Sequence, residues 1–188
     1  MRVIAGSLKG RRLKPPDWEG LRPTSDKLRE TIFNILAPRI AGARVVDGYA
    51  GTGALGIEAL SRGASTVTFI EQDTRAQALI AANLERCGVT NGYAIIRTDV
   101  ARALASLRDT TPPGSFDPFD IVLLDPPYAV SAAFESVLAA AGEVLAPGGI
   151  VVLEHARRAP VPLRAGRLFR SREQPAGDSA LAFYEVTT

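Results

Sequence analysis

The fold of this 188-residue chain is decided by the stretch Ala43-Arg44-Val45-Val46-Asp47-Gly48-Tyr49-Ala50-Gly51-Thr52-Gly53-Ala54-Leu55-Gly56. It starts as an apolar strand, passes through a glycine-rich turn and opens a helix. A second apolar strand, over residues 66–71, ends at Glu71, 20 residues after Gly51. Glycines let the backbone approach a ligand, and an acid at this spacing can bind ribose hydroxyls. The stretch is therefore typical of a nucleoside-binding βαβ unit.

This turn leaves two ligands open, a nicotinamide dinucleotide and S-adenosylmethionine. Residues 51–56 match G-x-G-x-x-G, which in dinucleotide enzymes places a pyrophosphate at the helix N-terminus. Adenosylmethionine instead carries a cationic sulfonium and an ammonium group. Asp47, just before the turn, would attract those cations and repel a pyrophosphate, so adenosylmethionine is favoured. Asp99, after a later strand, is expected to bind the adenine amine. The cofactor-binding residues predicted along this edge are Asp47, Ala50, Gly51, Thr52, Gly53, Glu71, Gln72 and Asp99.

A third apolar run, over residues 121–124, ends in Asp125-Pro126-Pro127-Tyr128. The strand places the Asp125 carboxylate at the carboxyl edge of the sheet, where open α/β sheets bind ligands. The two prolines lack N–H groups, so the turn is stiff and offers only carbonyl acceptors. Tyr128 offers a flat face for a nucleobase, an interaction worth roughly 1–3 kcal/mol. We predict that these four residues are catalytic and act on a nucleobase amine; the alternative is a strand-ending turn with a packed tyrosine.

Strands and helices alternate from residue 43 to residue 154, which predicts a mainly parallel sheet with helices on both faces. Residues 24–37 are predicted to form a helix that Thr24, Ser25 or Asp26 caps and Pro38 ends. Residues 167–172 and 180–186 are predicted to be the strands of a closing hairpin. We expect a single domain over residues 1–188, with a basic hairpin at 1–16, a helix at 24–37 and a Rossmann-like core at 43–188.

The basic residues are concentrated in two segments that contain no acid, residues 1–16 and 155–172. The formal net charge of +2 is too small to identify a partner, but clustered arginine and lysine are typical of contact with a phosphate backbone. The alternative is that both segments are solvated edges. The predicted nucleic-acid contacts are Arg2, Lys9, Arg11, Arg12, Lys14, Arg170 and Arg172.

Several function classes are disfavoured by composition. No apolar run reaches the roughly 18 residues that span a bilayer, and residues 1–16 do not form a secretory signal, so we expect a cytoplasmic protein. The chain has one cysteine, Cys87, and one histidine, His155. An intrachain disulfide is therefore excluded, and we expect no metal site.

Nearly the whole chain resembles the bacterial 16S ribosomal RNA guanine-N2 methyltransferase family, RsmD. The glycine turn and Asp125-Pro126-Pro127-Tyr128 are shared with many amino-methyltransferases, whereas the amino-terminal stretches and the run at 58–64 are more specific. The stretches that carry the resemblance are Arg2-Val3-Ile4-Ala5-Gly6, Gly10-Arg11, Leu21-Arg22-Pro23-Thr24-Ser25-Asp26, Arg29-Glu30, Phe33-Asn34, Asp47, Ala50-Gly51-Thr52-Gly53-Ala54-Leu55-Gly56, Glu58-Ala59-Leu60-Ser61-Arg62-Gly63-Ala64, Glu71, Asp73 and Asp125-Pro126-Pro127-Tyr128.

The resemblance implies a class I methyltransferase fold, with a seven-stranded, mainly parallel sheet whose last strand is antiparallel. It implies adenosylmethionine as the donor and a guanine of 16S rRNA, in the small ribosomal subunit or its assembly intermediate, as the target. It also implies that Thr24 and Arg29 reach the carboxylate of the donor; a helix cap and a surface ion pair are the alternative. We expect the enzyme to act as a monomer.

Two other interpretations of the chain remain open. One is an amino-methyltransferase that acts on adenine N6 in DNA or on a protein glutamine, although the chain has no room for a separate DNA-recognition domain. The other is a non-catalytic RNA-binding module for ribosome assembly. The presence of Asp47, Glu71 and Asp125 together argues against a site that has lost its activity.

Overall fold

The computed structural model describes residues 1–21, 24–109, 117–127 and 134–186. Helices and strands alternate along most of this length, as predicted. In chain order the elements are α1 (Asp26–Leu36), β1 (Arg44–Gly48), α2 (Ala54–Ser61), β2 (Thr66–Ile70), α3 (Thr74–Arg86), β3 (Tyr93–Ile96), α4 (Val100–Asp109), β4 (Phe119–Leu124), α5 (Phe134–Val144), β5 (Leu145–Ala156), β6 (Arg164–Ala165), β7 (Leu168–Ala176) and β8 (Ser179–Val186).

The strands form one sheet in the order β3-β2-β1-β4-β5-β8-β7-β6. Strands β1 to β5 are parallel, and β8 lies antiparallel between β5 and β7. The predicted mainly parallel sheet with an antiparallel end is confirmed. The described part of the chain has eight strands rather than seven because the two-residue strand β6 pairs with the edge of β7.

Helices cover both faces of the sheet. Phe33 of α1 and Ile57 of α2 are fully buried in the core on one face, and Leu104 of α4 and Leu138 of α5 are fully buried on the other. A parallel strand covered on both faces must be apolar throughout, which accounts for the continuous apolar run in β4. Among the residues that the structure describes, no helix has the length and hydrophobicity needed to cross a bilayer.

The register brings the ends of four strands together. Gly48 is paired with Ile70 of β2 and with Leu124 of β4, and Leu124 is paired with Leu153 of β5. Strand order reverses at β1, since β2 lies on one side of it and β4 on the other. Such a reversal leaves a crevice outside the carboxyl ends of the strands. The residues that follow these strands therefore meet at one edge of the sheet.

The basic amino-terminal segment, residues 1–14, is folded back on itself. Arg2 and Arg12 form a single antiparallel bridge, and the Val3 N–H donates to the Arg11 carbonyl at 2.9 Å. The predicted hairpin is thus present, but the loop closes through one bridge rather than through two regular strands.

Two residues of α2 hold this segment against the core. The buried Glu58 carboxylate accepts the N–H groups of Ile4 and Ala5, at 2.7 and 3.0 Å. Ser61 accepts the Leu8 N–H at 2.9 Å. Gly6 has a φ of +83°, and a Cβ there would lie 1.8 Å from the Ser61 carbonyl oxygen. The run at residues 58–64 therefore positions the basic segment.

Candidate active site

A cavity of about 890 Å³ opens at the carboxyl edge of the sheet. We call it the main cavity. Its volume falls in the range of small-molecule sites, roughly 300–1,000 Å³. Its walls come from the ends of the parallel strands, from α1 and from the turn between β7 and β8. Most of the predicted catalytic and cofactor-binding residues lie on these walls: Thr24, Ala50, Gly51, Thr52, Glu71, Gln72, Asp99, Asp125, Pro126 and Pro127.

The glycine loop adopts backbone conformations that favour glycine. Gly51 has a φ of +54° and Gly53 a φ of +76°, and Gly53 is the N-cap of α2. The Gly53 N–H closes the turn on the Ala50 carbonyl at 2.7 Å. Gly56, inside α2, packs so closely on β2 that a Cβ would lie 2.2 Å from the Phe69 ring. The glycines thus set both the turn and the distance between helix and sheet.

Glu71 links the glycine loop, which follows β1, to the turn that follows β2. Its Oε2 accepts the Gly51 N–H and its Oε1 accepts the Asp73 N–H, both at 2.9 Å. Each oxygen of a carboxylate has two lone pairs, so Glu71 can still accept hydroxyl hydrogens from the main cavity. Asp99 caps α4 by accepting the Arg102 N–H at 3.1 Å.

Asp47 lies behind the glycine loop rather than on the wall of the main cavity. Its Oδ2 accepts the Gly56 N–H at 2.8 Å, and its side chain is buried. Burial raises the pKa of Asp47 well above its ordinary value; the Gly56 hydrogen bond opposes this rise, and the charges of Asp125 and Glu71 add to it. Gly53 also lies off the cavity wall. Asp47 can therefore act on a ligand in the main cavity only through the charge of its ionised form, without direct contact.

Asp125 is hydrogen-bonded to a residue of the amino-terminal part of the chain. The Thr24 hydroxyl donates to Asp125 Oδ2 at 2.5 Å, and both residues line the main cavity. Pro126 is buried and Pro127 is exposed. We call residues 125–127 the acceptor turn. Tyr128, the fourth predicted catalytic residue, lies outside the described residues.

Arg29 does not reach the main cavity, so the structure does not support its predicted contact with a donor carboxylate. Its guanidinium is fully buried, and Nη2 donates to the Arg2 carbonyl at 2.8 Å and to Asp26 Oδ1 at 2.6 Å. The physical reason is that Arg29 lies on the face of α1 turned toward the core. Ser25 caps this helix by accepting the Leu28 N–H. Arg29 thus ties the basic amino-terminal segment to α1.

Tyr49, Trp18 and Arg75 are among the cavity residues that the sequence did not identify. Tyr49 has a φ of +63°, which is rare for a residue with a side chain. Burial, with a smaller effect of the Asp99 charge, raises its pKa to about 12. Strained conformations cluster at functional sites, and the position of Tyr49 beside Gly48 was the available signal. Trp18 and Arg75 form a cation–π contact, 5.1 Å from guanidinium carbon to ring centre, at another wall.

Two of the predicted nucleic-acid contacts, Arg2 and Arg172, lie next to residues at the rim of the main cavity. Arg2, Lys9, Arg11, Arg12 and Lys14 are exposed. Arg2 Nε lies 4.0 Å from Asp26, next to the cavity residue Ser25. Arg172 donates to Gln174, which lines the cavity. Arg170 is only partly exposed and pairs with Glu173 at 2.8 Å. In the described ranges, no group of three or more histidine, cysteine, aspartate or glutamate side chains could hold a metal ion.

The sheet order, the glycine loop at its switch point and the acceptor turn across the same cavity define a class I methyltransferase. The comparisons with known proteins identify the family. The chain belongs to the family described as "Conserved hypothetical protein 95", whose model matches residues 1–185. This match and the named relatives described next together confirm the family resemblance seen in the sequence.

Named relatives match over nearly the full length of the chain. "Putative rRNA methyltransferase YlbH" of Bacillus subtilis is 38% identical and covers 98% of each chain. "Ribosomal RNA small subunit methyltransferase D" of Escherichia coli K12 is 35% identical, over 98% of this chain and 89% of that protein. Among solved structures, "Putative methyltransferase yhhF from Escherichia coli" superposes with a TM-score of 0.84 at 31% identity, covering 99% of this chain and 97% of that one.

Proposed function

We propose that this protein transfers a methyl group from S-adenosylmethionine to the exocyclic N2 amine of a guanine in 16S rRNA. The observation that carries the proposal is that the acceptor turn and the glycine loop, with Glu71, line one cavity. Donor and acceptor groups can therefore meet within it. The relative named "Ribosomal RNA small subunit methyltransferase D" supports small-subunit RNA as the target.

The residues present fit adenosylmethionine. The loop at Ala50, Gly51 and Thr52 would hold the methionine end through its backbone, Glu71 and Gln72 would hold the ribose, and Asp99 would accept a hydrogen bond from the adenine amine. The charges of Asp125 and Glu71 contribute to the raised pKa of Asp47, so the three carboxylates act on one another at this edge. A negative potential of this kind favours a cationic ligand and disfavours a pyrophosphate. Thr24 is assigned a role in orienting Asp125 instead of a direct contact with the donor.

Guanine N2 is a poor nucleophile because its lone pair is delocalised into the ring. Asp125 and the Pro126 carbonyl would accept the two N2 hydrogens, which favours a pyramidal nitrogen whose lone pair points at the donor. When bound, adenosylmethionine supplies a methyl group whose bond to sulfur breaks with both electrons going to sulfur, while the N2 lone pair forms the new bond and one N2 proton is lost. Orientation and preorganised acceptors lower the barrier.

The remaining assignments concern the RNA. Tyr128 would stack on the flipped-out guanine, which a loop can supply at a low unstacking cost. The basic amino-terminal segment, with Arg170 and Arg172, would contact phosphates around the main cavity. The exposure of the segment's basic residues and the position of Arg2 beside Asp26 of α1 support the contact with RNA. We propose a cytoplasmic monomer in which residues 1–188 act as one catalytic domain.

The proposal is tested by transfer of a tritiated methyl group from adenosylmethionine into small subunits that lack the modification, followed by identification of the product nucleoside. N2-methylguanosine that is formed by the wild type and not by Asp125→Ala supports the assignment. A product in DNA adenine or protein glutamine would contradict it. Tight binding to subunits without donor binding would instead indicate an assembly module.

A further inference from the structure

A second carboxylate, that of Glu154, lines the main cavity together with Asp125. Leu124, the last residue of β4, is paired with Leu153 of the parallel strand β5. Asp125 directly follows β4, and Glu154 is the next residue of β5. Both line the main cavity. Neighbouring strands lie about 4.8 Å apart, and paired positions project to the same face of a sheet. If this register continues by one residue, the two carboxylates are neighbours on the wall where the acceptor base would bind.

The closing hairpin orients Glu154. Glu154 is only 8% exposed, and the Ser179 hydroxyl donates to its Oε1 at 2.9 Å. Ser179 is the first residue of β8 and also lines the main cavity. Burial of a carboxylate is costly unless its oxygens accept hydrogen bonds. A carboxylate held in this way inside a ligand cavity is suited to accept a hydrogen from the ligand.

We propose that Glu154 accepts the N1–H of the target guanine and thereby selects guanine over adenine. The inference rests on the proposed function, in which Asp125 and the Pro126 carbonyl take the two N2 hydrogens. N1–H lies next to N2 on the same edge of guanine, so it points toward the carboxylate next to Asp125. Adenine has an unprotonated N1 there, and its lone pair would face the Glu154 oxygens with repulsion.

Such a contact discriminates strongly between bases. A site built to accept a substrate N–H rejects an analogue without that N–H by roughly 10⁴–10⁵ in kcat/KM, because a buried polar group then loses its partner. A flipped base is read along this same edge in other nucleobase-modifying enzymes. Glu154 would thus determine specificity without taking part in the methyl transfer.

The test uses base analogues in reconstituted small subunits. The nucleotide that the wild type methylates is replaced by 2-aminopurine or 2,6-diaminopurine, which keep the N2 amine and lack N1–H. We expect the wild type to methylate both analogues at least about 100-fold more slowly than guanine. In Glu154→Gln the amide can donate to the unprotonated N1. The ratio of kcat/KM for guanine to that for 2-aminopurine should therefore fall by about 100-fold.

Glu143→Gln is the matched control. Glu143 is an exposed glutamate that pairs with Arg108 between α4 and α5, and this variant should keep the wild-type base preference. Donor binding and thermal unfolding of Glu154→Gln show whether the variant is folded. If it is not, the comparison of the three bases with the wild type decides whether the enzyme recognises N1–H.

Two results overturn the role of Glu154 and leave the proposed function intact. One is equal methylation of guanine and 2,6-diaminopurine by the wild type. The other is a folded Glu154→Gln that loses the same factor on all three bases. A wild type that transfers no methyl group to guanine-containing subunits overturns the proposed function, and this inference with it.

Discussion

The Thr24 hydroxyl donates a hydrogen bond to the Asp125 carboxylate, although 101 positions separate the two residues in the chain. The bond joins the segment before α1 to the acceptor turn after β4. It uses one lone pair of Oδ2 and so limits the directions in which Asp125 can accept a hydrogen from the substrate. The amino-terminal part of the chain therefore contributes to the geometry of the proposed catalytic residue.

Thr24→Val removes this hydrogen bond and keeps the shape of the side chain. A hydrogen bond to a charged group is worth about 1.5–3 kcal/mol, so we expect the single-turnover rate to fall roughly 10- to 100-fold. The donor dissociation constant, measured by calorimetry, should stay within about twofold. Thr66→Val, at an exposed position of β2, is the control and should keep the wild-type rate. A weakened donor affinity with an unchanged rate would instead place Thr24 at the donor.

Glu71 is expected to hold the ribose of the donor while it ties the glycine loop to α3. Glu71→Gln keeps the size of the side chain but replaces one acceptor oxygen with an NH2 donor. The glutamine therefore cannot accept hydrogen bonds from both backbone N–H groups and from the ribose hydroxyls. We expect the donor dissociation constant to rise about tenfold, as one lost hydrogen bond would give. Glu85→Gln, an exposed residue of α3, is the control. Unchanged donor affinity in Glu71→Gln would exclude Glu71 from the binding site.

Asp47 should make both stability and donor affinity depend on pH. Because its pKa is raised in the folded protein, the folded state keeps a proton that the unfolded chain has lost. The free energy of unfolding therefore falls as the pH rises from about 4 through the raised pKa. A cationic donor favours the ionised form, so donor affinity should rise over the same interval.

Asp47→Asn keeps an oxygen for the Gly56 N–H and cannot ionise. Both pH dependences should be smaller in this variant, as measured by urea unfolding and by calorimetry across the interval. Asp109→Asn, at the exposed C-terminal end of α4, should behave like the wild type. The same pH slopes in Asp47→Asn and the wild type would mean that other groups are responsible.

Alanine substitutions at Gly6 and Gly10 distinguish the effect of backbone strain from the effect of steric overlap in the basic amino-terminal segment. Both have a positive φ, but only a Cβ at Gly6 meets the Ser61 carbonyl oxygen; a Cβ at Gly10 has nothing within 4 Å. Gly10→Ala should cost about 1–2 kcal/mol from the left-handed conformation alone. Gly6→Ala should in addition release the N–H groups of Ile4 and Ala5 from Glu58. Faster hydrogen exchange at those two amides in Gly6→Ala only is the expected result, and equal exchange in both variants would contradict it.

The parts of the site that could be predicted from sequence are those set by local chemistry. Gly51 and Gly53 were identifiable because a turn between a strand and a helix demands their backbone conformations. Asp125 was identifiable because it directly follows a continuous apolar strand. Both features depend on residues only a few positions away.

The rest depends on contacts between distant segments. Arg29 was expected at the donor. Which face of α1 turns toward the core depends on how the helix packs, and Arg29 lies on that buried face, away from the main cavity. Asp47 was expected to attract the donor from the start of the glycine loop, yet whether its carboxylate faces the ligand or the Gly56 N–H depends on how closely α2 packs against Phe69. Glu154 gains its position from the register of β5 with β4, which no local pattern encodes.

Arg11 and Arg12 should bind RNA through charge alone, because both are exposed in the basic amino-terminal segment. Reversal of both charges, in Arg11→Glu/Arg12→Glu, should weaken binding to unmodified small subunits at low salt. It should also reduce the slope of log affinity against log salt by about 1 for each phosphate that the segment no longer neutralises. The donor dissociation constant should not change. Arg102→Glu/Arg108→Glu makes the same charge change on α4 and should preserve both affinity and slope. An equal loss of affinity in the two double variants would show that only net charge matters, and unaltered affinity in the first would remove the segment from the RNA interface.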